Sequence, residues 1–577
     1  MKIGEIKQEI SGYLRQATGD LPPNFIFDLE VPLQPGRGDL TFSCFSLAQY
    51  FKKSPEKVAM GIVTKFKKIK TDLLEKTKNI GPYVNFFINK KILFSTVCEE
   101  ILKEGNEFGQ SFIGEGQRIG IEYSAPNTNK PQHLGHLRND LLGNSLANLL
   151  RMGGFDVKTF NLINDRGIHI CKSMLAYSKW GEERTPDSEK IKGDHFVGDY
   201  YVLFAKKEKA NPRLLEEAQE MLNKWEAGDS EVLALWQKMN KWAIDGLQET
   251  YQKIGIKFDE LNFESDIYNS GKDIILKALK KGLCYKREDG AVEIDLEKYN
   301  LGKKVLLRPD GTSVYITQDI GLAKLYSTFK TDKFIYVVGS EQNHYFNVLF
   351  KVLDLFGFNN ADKYYHFSYG LVFLPEGKMK SRQGEVVDVD DIIKQMEQLA
   401  KSEVLKRNAH LSPIKVSERA QIIAQAALKF FFLKFKPNQT VNFDPLASIS
   451  FEGDTGPYLQ YTYARIQSIL RKDLKEERVD NSEIDYSLLG NSGEVDLIKL
   501  LSIFPDTIQQ SFVEYNPSIL SHYLLKLGHQ FNEFYHQSHV LKSKVKLREA
   551  RLALLRSVAQ VLKTGLNLLS IDVLEEM

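Results

Sequence analysis

Residues 118–163 read RIGIEYSAPNTNKPQHLGHLRNDLLGNSLANLLRMGGFDVKTFNLI, and three patterns follow one another there. RIGIEYSAP is a short apolar run closed by Pro126, the mark of a buried strand. LRNDLLGNSLANLLRMGGF carries Leu137, Leu141, Leu142, Leu146, Leu149 and Leu150 in phase with Leu134, a helical period that Gly153 and Gly154 stop. DVKTFNLI then reads as a second strand. Strand, helix, strand is the unit of a parallel sheet covered by helices, and FIYVVGS followed by the helical NVLFKVLDLFGF repeats it near residue 335. The expected core is therefore a Rossmann-like α/β domain.

Working outward, residues of about 180 to 300 are charged and rich in Trp, Lys and Glu at helical spacing, which predicts a helical insertion packed on the rim of the sheet. Upstream, the helical NKKILFSTVCEEILKEGNEFGQ gives way to the turn-rich SFIGEGQ, so residues 1–110 are expected to form a separate α+β module. The Rossmann-like domain then spans 111–410. From 411 to 577 only helical periods remain, which predicts an all-α domain. The fold class expected is a multidomain α/β protein.

The chain has 577 residues, 42% hydrophobic, 26% charged and 11% aromatic, a profile that excludes disordered and fibrous classes. No apolar run approaches the ~18 residues that cross a bilayer. The opening MKIGEIKQEISGYLRQATGD has no apolar core behind a basic head, so a cytoplasmic protein without a membrane partner is expected, and a monomer. Cys44, Cys98, Cys171 and Cys284 lie far apart without a CxxC pair, which predicts reduced core thiols and no structural zinc. Lys plus Arg number 77 against 75 acids, a net charge of +2, so any nucleic-acid surface must be local. Residues 401–436 and 541–556 are the two basic windows that qualify.

The strand-to-helix junction SAPNTNKPQHLGHLRND places His133 and His136 around Gly135 at the start of the helix. A helix start gathers unpaired N–H groups and positive dipole, so it attracts phosphate, and glycine admits a nucleotide close to the backbone. Composition alone would give an HxGH match only ~0.014 times in such a chain, and this one falls in the strand-loop-helix context that phosphate binding needs. Downstream, PEGKMKSRQGEVVDVDD sets Lys378, Lys380 and Arg382 within five residues of a Gly-bounded loop, a spacing that suits a polyphosphate.

HLGH early in one half and KMKSR late in the other resemble the paired signatures of class I aminoacyl-tRNA synthetases. YSAPNTNKPQHLGHLRND, SVYITQDIG at 313–321 and DTGPYLQYTYARIQSILRK at 454–472 narrow the resemblance to the arginyl-tRNA synthetase family, along with an N-terminal module ending in GPYVNFFI and the closing LALLRSVAQVLKTGLNLLSI. The resemblance implies ATP-dependent attachment of L-arginine to its tRNA through an arginyl-adenylate, with Mg²⁺ accompanying ATP. The helical domain would bind the anticodon and the N-terminal module the tRNA elbow.

It also implies site residues. Glu122 and Asp319 would hold the guanidinium, with a Tyr315 hydroxyl beside them, and Asn127 and Gln342 would orient the α-amino end. Two carboxylates suit the job, because a guanidinium is planar, always charged and paired bidentately. His133, Gly135, His136, Gly370, Lys378 and Met379 would form the ATP site, and Lys130, His133, His136 and Lys378 the catalytic set. Two departures from the family pattern stand out. The usual KMSKS has lysine at its fourth place, where this chain has Ser381, and Lys130 or Lys380 is left to supply the charge. NDRGIH at 164–169 replaces the common DWGxQ, so Arg166 and His169 receive no role. A non-catalytic tRNA-binding relative is the alternative.

Overall fold

The computed structural model describes residues 2–19, 21–32, 34, 36–358, 363–374, 388–473 and 484–577. The chain forms two compact units, one of residues 1–111, 451–511 and 519–577, the other of residues 112–450 and 512–518.

In the second unit the strands read from the sequence are present at Arg118–Glu122, Asp156–Ile163 and Lys333–Gly339, with helices at Leu134–Met152 and Asn343–Leu355. They belong to one five-stranded sheet, ordered Tyr364–Tyr369, Lys333–Gly339, Arg118–Glu122, Asp156–Ile163, Glu260–Phe263, in which every pairing is parallel. Ile119, Ile121, Phe160, Ile335 and Val337 are buried in it, as befits a sheet covered on both faces. Close packing at its centre requires glycine at 120, where a Cβ would lie 2.4 Å from the Phe334 ring.

The insertion is helical at Gly193–Ala210, Arg213–Glu226 and Ser230–Ile254. Beyond residue 254 the expectation of helix alone is corrected. Glu260–Phe263 joins the main sheet, and Tyr285–Lys286, Val292–Asp295 and Lys303–Leu307 form a small antiparallel sheet. Alternating, largely β-branched or aliphatic stretches such as AVEID carry that signal. Residues 411–450 also group with this unit rather than with the later helices. Pro413–Leu433 packs on Val389–Arg407 and on Leu134–Met152, and Val441–Asn442 runs parallel beside Val372–Phe373.

The first unit is discontinuous. Residues 1–111 supply a four-stranded antiparallel sheet, ordered Leu29–Glu30, Leu40–Ser43, Tyr83–Ile88, Leu74–Ile80. Helices Ile3–Thr18, Pro55–Phe66 and Lys90–Glu104 accompany it. Gly456–Asp473, Ser492–Ser502 and Val545–Leu568 are helices of the later part, and Lys90–Glu104 packs against Val545–Leu568 and Ser492–Ser502. The four cysteines are free and buried. Among the described residues no helix is long and apolar enough to cross a membrane.

Candidate active site

The chain lays down the main sheet outward from Arg118–Glu122 to one side, then returns to place Lys333–Gly339 on its other side. Strand order reverses between these two strands, and ligands of open α/β sheets bind at the carboxyl ends of strands at such a switch point. Glu122 ends one of these strands and Gln342 follows the other by three residues.

Beyond Glu122 the backbone is strained. Ser124 and Ala125 take φ of 80° and 50°, left-handed values that side chains other than glycine rarely adopt. Three asparagines hold the bend. Ser124 N–H donates to Asn139 Oδ1 at 2.6 Å, Ala125 N–H to Asn161 Oδ1 at 3.1 Å, and Asn164 Nδ2 to the Ala125 carbonyl at 3.0 Å. Asn127 follows, in a parallel bridge with Asn164.

His133 is the N-cap of the helix Leu134–Met152. Its Nδ1 accepts from Gly135 N–H at 3.1 Å, and His136 Nδ1 accepts from His133 N–H at 3.1 Å. The two rings lie 3.9 Å apart. With Nδ1 acting as acceptor in each, the neutral rings carry their proton on Nε2, which leaves that N–H as the free donor. Burial, the neighbouring His133 and the Lys130 ammonium depress His136 to about 3, and burial and Lys130 lower His133, so both rings are neutral at pH 7. Lys130 is half-buried and pairs with no acid among the described residues.

The second motif, with Lys378, Met379, Lys380 and Ser381, lies outside the described residues. The residues on either side of it lie next to the first motif. Val389 N–H donates to the Gln132 carbonyl at 2.9 Å, and His133 and Asp388 form an antiparallel bridge. Gly370 accepts at its carbonyl from Arg138 Nη1 at 2.7 Å.

Glu122 and Asp319 are brought together. Burial raises the Glu122 carboxyl to about 8, with the Tyr326 phenol opposing and the Asp319 charge adding. Burial likewise lifts Asp319 to about 6, against the Tyr345 phenol. The Tyr326 hydroxyl donates to Glu122 Oε2 at 2.5 Å and the Tyr345 hydroxyl to Asp319 Oδ2. Among the described residues neither acid has a basic partner. Two neighbouring acids without a cation, Glu122 buried and Asp319 half-buried, form an environment suited to receiving one. Tyr315 stands one helical turn before Asp319 and is 76% exposed. Gln342 is exposed at the start of Asn343–Leu355, and among the described residues no hydrogen bond joins it or Asn127 to the acids.

Sequence reading missed several groups here. Tyr326 shares the face of Asp319 at i+7, a spacing that could have revealed it. Glu264 accepts from Gln318 Nε2 at 2.6 Å and is raised to about 7, chiefly by burial. Arg166, left without a role, has its guanidinium 4.0 Å from the Tyr268 ring centroid and its Nη2 2.5 Å from Glu226. The insertion helix Ser230–Ile254 reaches the site too. Its Asn240 pairs with Thr128 at 2.5 Å, and its Tyr251 hydroxyl meets Ser124 Oγ at 2.6 Å, with Gln132 and Asn161 amides donating to it at 3.1 Å each.

The comparisons with known proteins agree with this geometry. Residues 97–444 match the tRNA synthetases class I (R) catalytic domain, 459–577 the DALR anticodon binding domain and 4–88 the arginyl tRNA synthetase N terminal domain. An arginine–tRNA ligase of Treponema denticola is 45% identical, covering 99% of this chain and 98% of its own, and one of Bacteroides thetaiotaomicron is 42% identical over the whole of both. The solved arginyl-tRNA synthetase of Thermus thermophilus superposes with a TM-score of 0.83 at 26% identity, covering 99% of this chain and all of its own. With a histidine pair at the helix start beside the switch point of the sheet, three matching family domains and full-length likeness to these ligases, the chain belongs to the class I arginyl-tRNA synthetase family.

Proposed function

We propose that Glu122 and Asp319 hold the guanidinium of arginine, that Tyr315 adds a hydroxyl to it, and that Asn127 and Gln342 orient the α-amino end. The protein is an arginine–tRNA ligase. Two neighbouring acids without a cation among the described residues, Glu122 buried and Asp319 half-buried, carry this assignment. A non-catalytic relative is not favoured, because a scaffold freed from arginine would gain stability by losing those acids.

The reaction begins with in-line attack of an arginine carboxylate oxygen on the α-phosphorus of ATP. The bond from phosphorus to the bridging oxygen breaks and pyrophosphate leaves. Catalysis here is positioning and charge neutralisation. Neutral His133 and His136 would donate from Nε2 to the α-phosphate oxygens as their charge grows, Gly135 and Gly370 would admit the nucleotide, and Lys130 would face the leaving pyrophosphate. Lys378 and Met379 are assigned to the same nucleotide from the family pattern alone. A hydroxyl of the terminal tRNA ribose then attacks the arginyl carbonyl, gives up its proton and releases AMP.

Magnesium would enter with ATP. The one group of metal-type ligands among the described residues, Asp194, His195 and Asp390, does not fit the ion, because Lys192 and Lys253 already pair with Asp390 at 2.6 and 2.9 Å. The helical segment 459–577 would bind the anticodon and the N-terminal module the tRNA elbow, in a cytoplasmic monomer. The domain limits 1–110, 111–410 and 411–577 belong to the same proposal, with 411–450 serving the catalytic unit.

Replacing Glu122 or Asp319 by its amide leaves a buried guanidinium underpaired by ~3 to 5 kcal/mol. Aminoacylation should then lose about two to four orders of magnitude in kcat/KM for arginine with little change in the KM for ATP. Unchanged kinetics in both amides would mean that the pocket lies elsewhere.

A further inference from the structure

Arg138 is fully buried two residues beyond His136, and among the described residues no carboxylate meets it. Its partners are all backbone carbonyls. Nη1 donates to Gly370 at 2.7 Å and Leu371 at 3.2 Å, and Nη2 to Pro437 at 3.1 Å and Lys436 at 3.4 Å. Nε has no partner among the described residues. A buried cation without an anion costs more than an apolar side chain of the same size, so stability alone does not account for it.

The guanidinium joins three stretches of chain. Gly370 N–H donates to the Pro437 carbonyl at 2.9 Å, and Val441 N–H to that of Leu371 at 2.9 Å. A Cβ at Gly370 would lie 2.6 Å from the backbone of Gln439, so the two segments cross as closely as backbones allow. Arg138 fixes that crossing to the same helix whose first turn carries His133 and His136.

We propose that Arg138 is a positioning residue for the nucleotide step, setting Gly370 and Leu371 at a defined distance from the histidine pair. A planar fork with parallel donors holds two pairs of carbonyls in one orientation, which a single ammonium does not reproduce. The proposal rests on the reading of the histidine pair as the phosphate site.

The test compares Arg138→Lys and Arg138→Met with His136→Ala in arginine-dependent pyrophosphate exchange with tRNA present. Arg138→Lys should raise the KM for ATP or lower kcat by about tenfold, and Arg138→Met by about a hundredfold. The KM for arginine should stay within twofold, and the melting temperature of the Met variant should not fall in step with its activity. A loss that tracks melting temperature, or an equal rise in both KM values, makes Arg138 a purely structural tie and overturns the proposal. If His136→Ala leaves ATP kinetics untouched, the phosphate site itself is misread, a separate failure. Hydrogen exchange on the wild type decides the matter should either variant fail to fold. A non-hydrolysable ATP analogue should protect residues 369–373 and 437–441 together with 133–139, and protection confined to 133–139 refutes the coupling.

Discussion

Glu122 ends a buried strand with its carboxyl raised to about 8, so at pH 7 the free protein holds most of that proton. A guanidinium bound as proposed favours the ionised form, and on that assignment arginine binding should expel up to one proton near neutrality. Calorimetric titrations at pH 7 in phosphate and in Tris should give heats differing by up to one proton's buffer ionisation. Arginine affinity should fall by up to about tenfold per pH unit between pH 8 and 6. Stability runs the other way. The folded carboxyl titrates above its unfolded value, so the protonated group's contribution is complete below that value and is lost as pH rises through about 8. Glu122→Gln should be more stable than wild type at pH 9 by roughly 1 to 3 kcal/mol, seen as a higher melting temperature, and show little difference near pH 4. Glu122 and Asp319, the proposed pair, could be singled out in the sequence because they fall in motif-bearing segments. Tyr345, Glu264 and Arg138 were not, because their meaning comes from partners distant in sequence.

The insertion helix Ser230–Ile254 was expected on the rim of the sheet, yet one stripe of it enters the site. Met239, Ala243, Leu247, Tyr251 and Ile254 are buried along that stripe, as are the polar Asn240 and Thr250. Polar residues within a buried stripe were the available signal, and periodicity alone does not weigh them. Tyr251→Phe removes a hydroxyl shared by Ser124, Gln132 and Asn161, which should cost about 1 to 3 kcal/mol. Loosening the Ser124–Ala125 bend should also lower kcat about tenfold, read in aminoacylation beside thermal melting. The insertion is tied again at Asp390. Although burial opposes it, bonds from His195, Lys192 and Lys253 hold that carboxyl far below the usual carboxylate range. His195 is raised in turn, burial opposing and the Asp390 bond prevailing. A raised histidine stabilises below its unfolded value near 6.5 and loses that contribution as pH climbs. His195→Ala should therefore cost more stability at pH 6 than at pH 9, in melts at the two values.

Across the chain, the strand-helix-strand units and the helical character of the later residues were readable from local periods, whereas the order of the five strands was not. The pairing of residues 1–111 with the helices after 451 was not, since it joins segments more than 340 residues apart. Leu93, Phe94, Val97, Cys98 and Ile101 are the buried side of Lys90–Glu104, a helix that packs on Val545–Leu568. Gln560 Nε2 donates to Asn106 at 2.8 Å, and Lys499 Nζ to the Gly38 carbonyl at 2.6 Å. A fragment of residues 451–577 alone should expose the surface that this helix covers. It should aggregate or melt at least 10 °C below the full protein, and regain solubility when residues 1–111 are co-expressed. A monomeric fragment with unchanged melting would show that the helices are self-sufficient.

The same discontinuity imposes an order on biosynthesis. Residues 112–450 leave the ribosome as one nearly complete unit, whereas Lys90–Glu104 must wait about 440 residues for Val545–Leu568. At ~5 to 20 residues per second that wait is about 20 to 90 seconds, long against the milliseconds to seconds in which small domains fold. Throughout it the part of this nascent helix that meets Val545–Leu568 lacks its cover, which makes the segment a natural client of chaperones during translation.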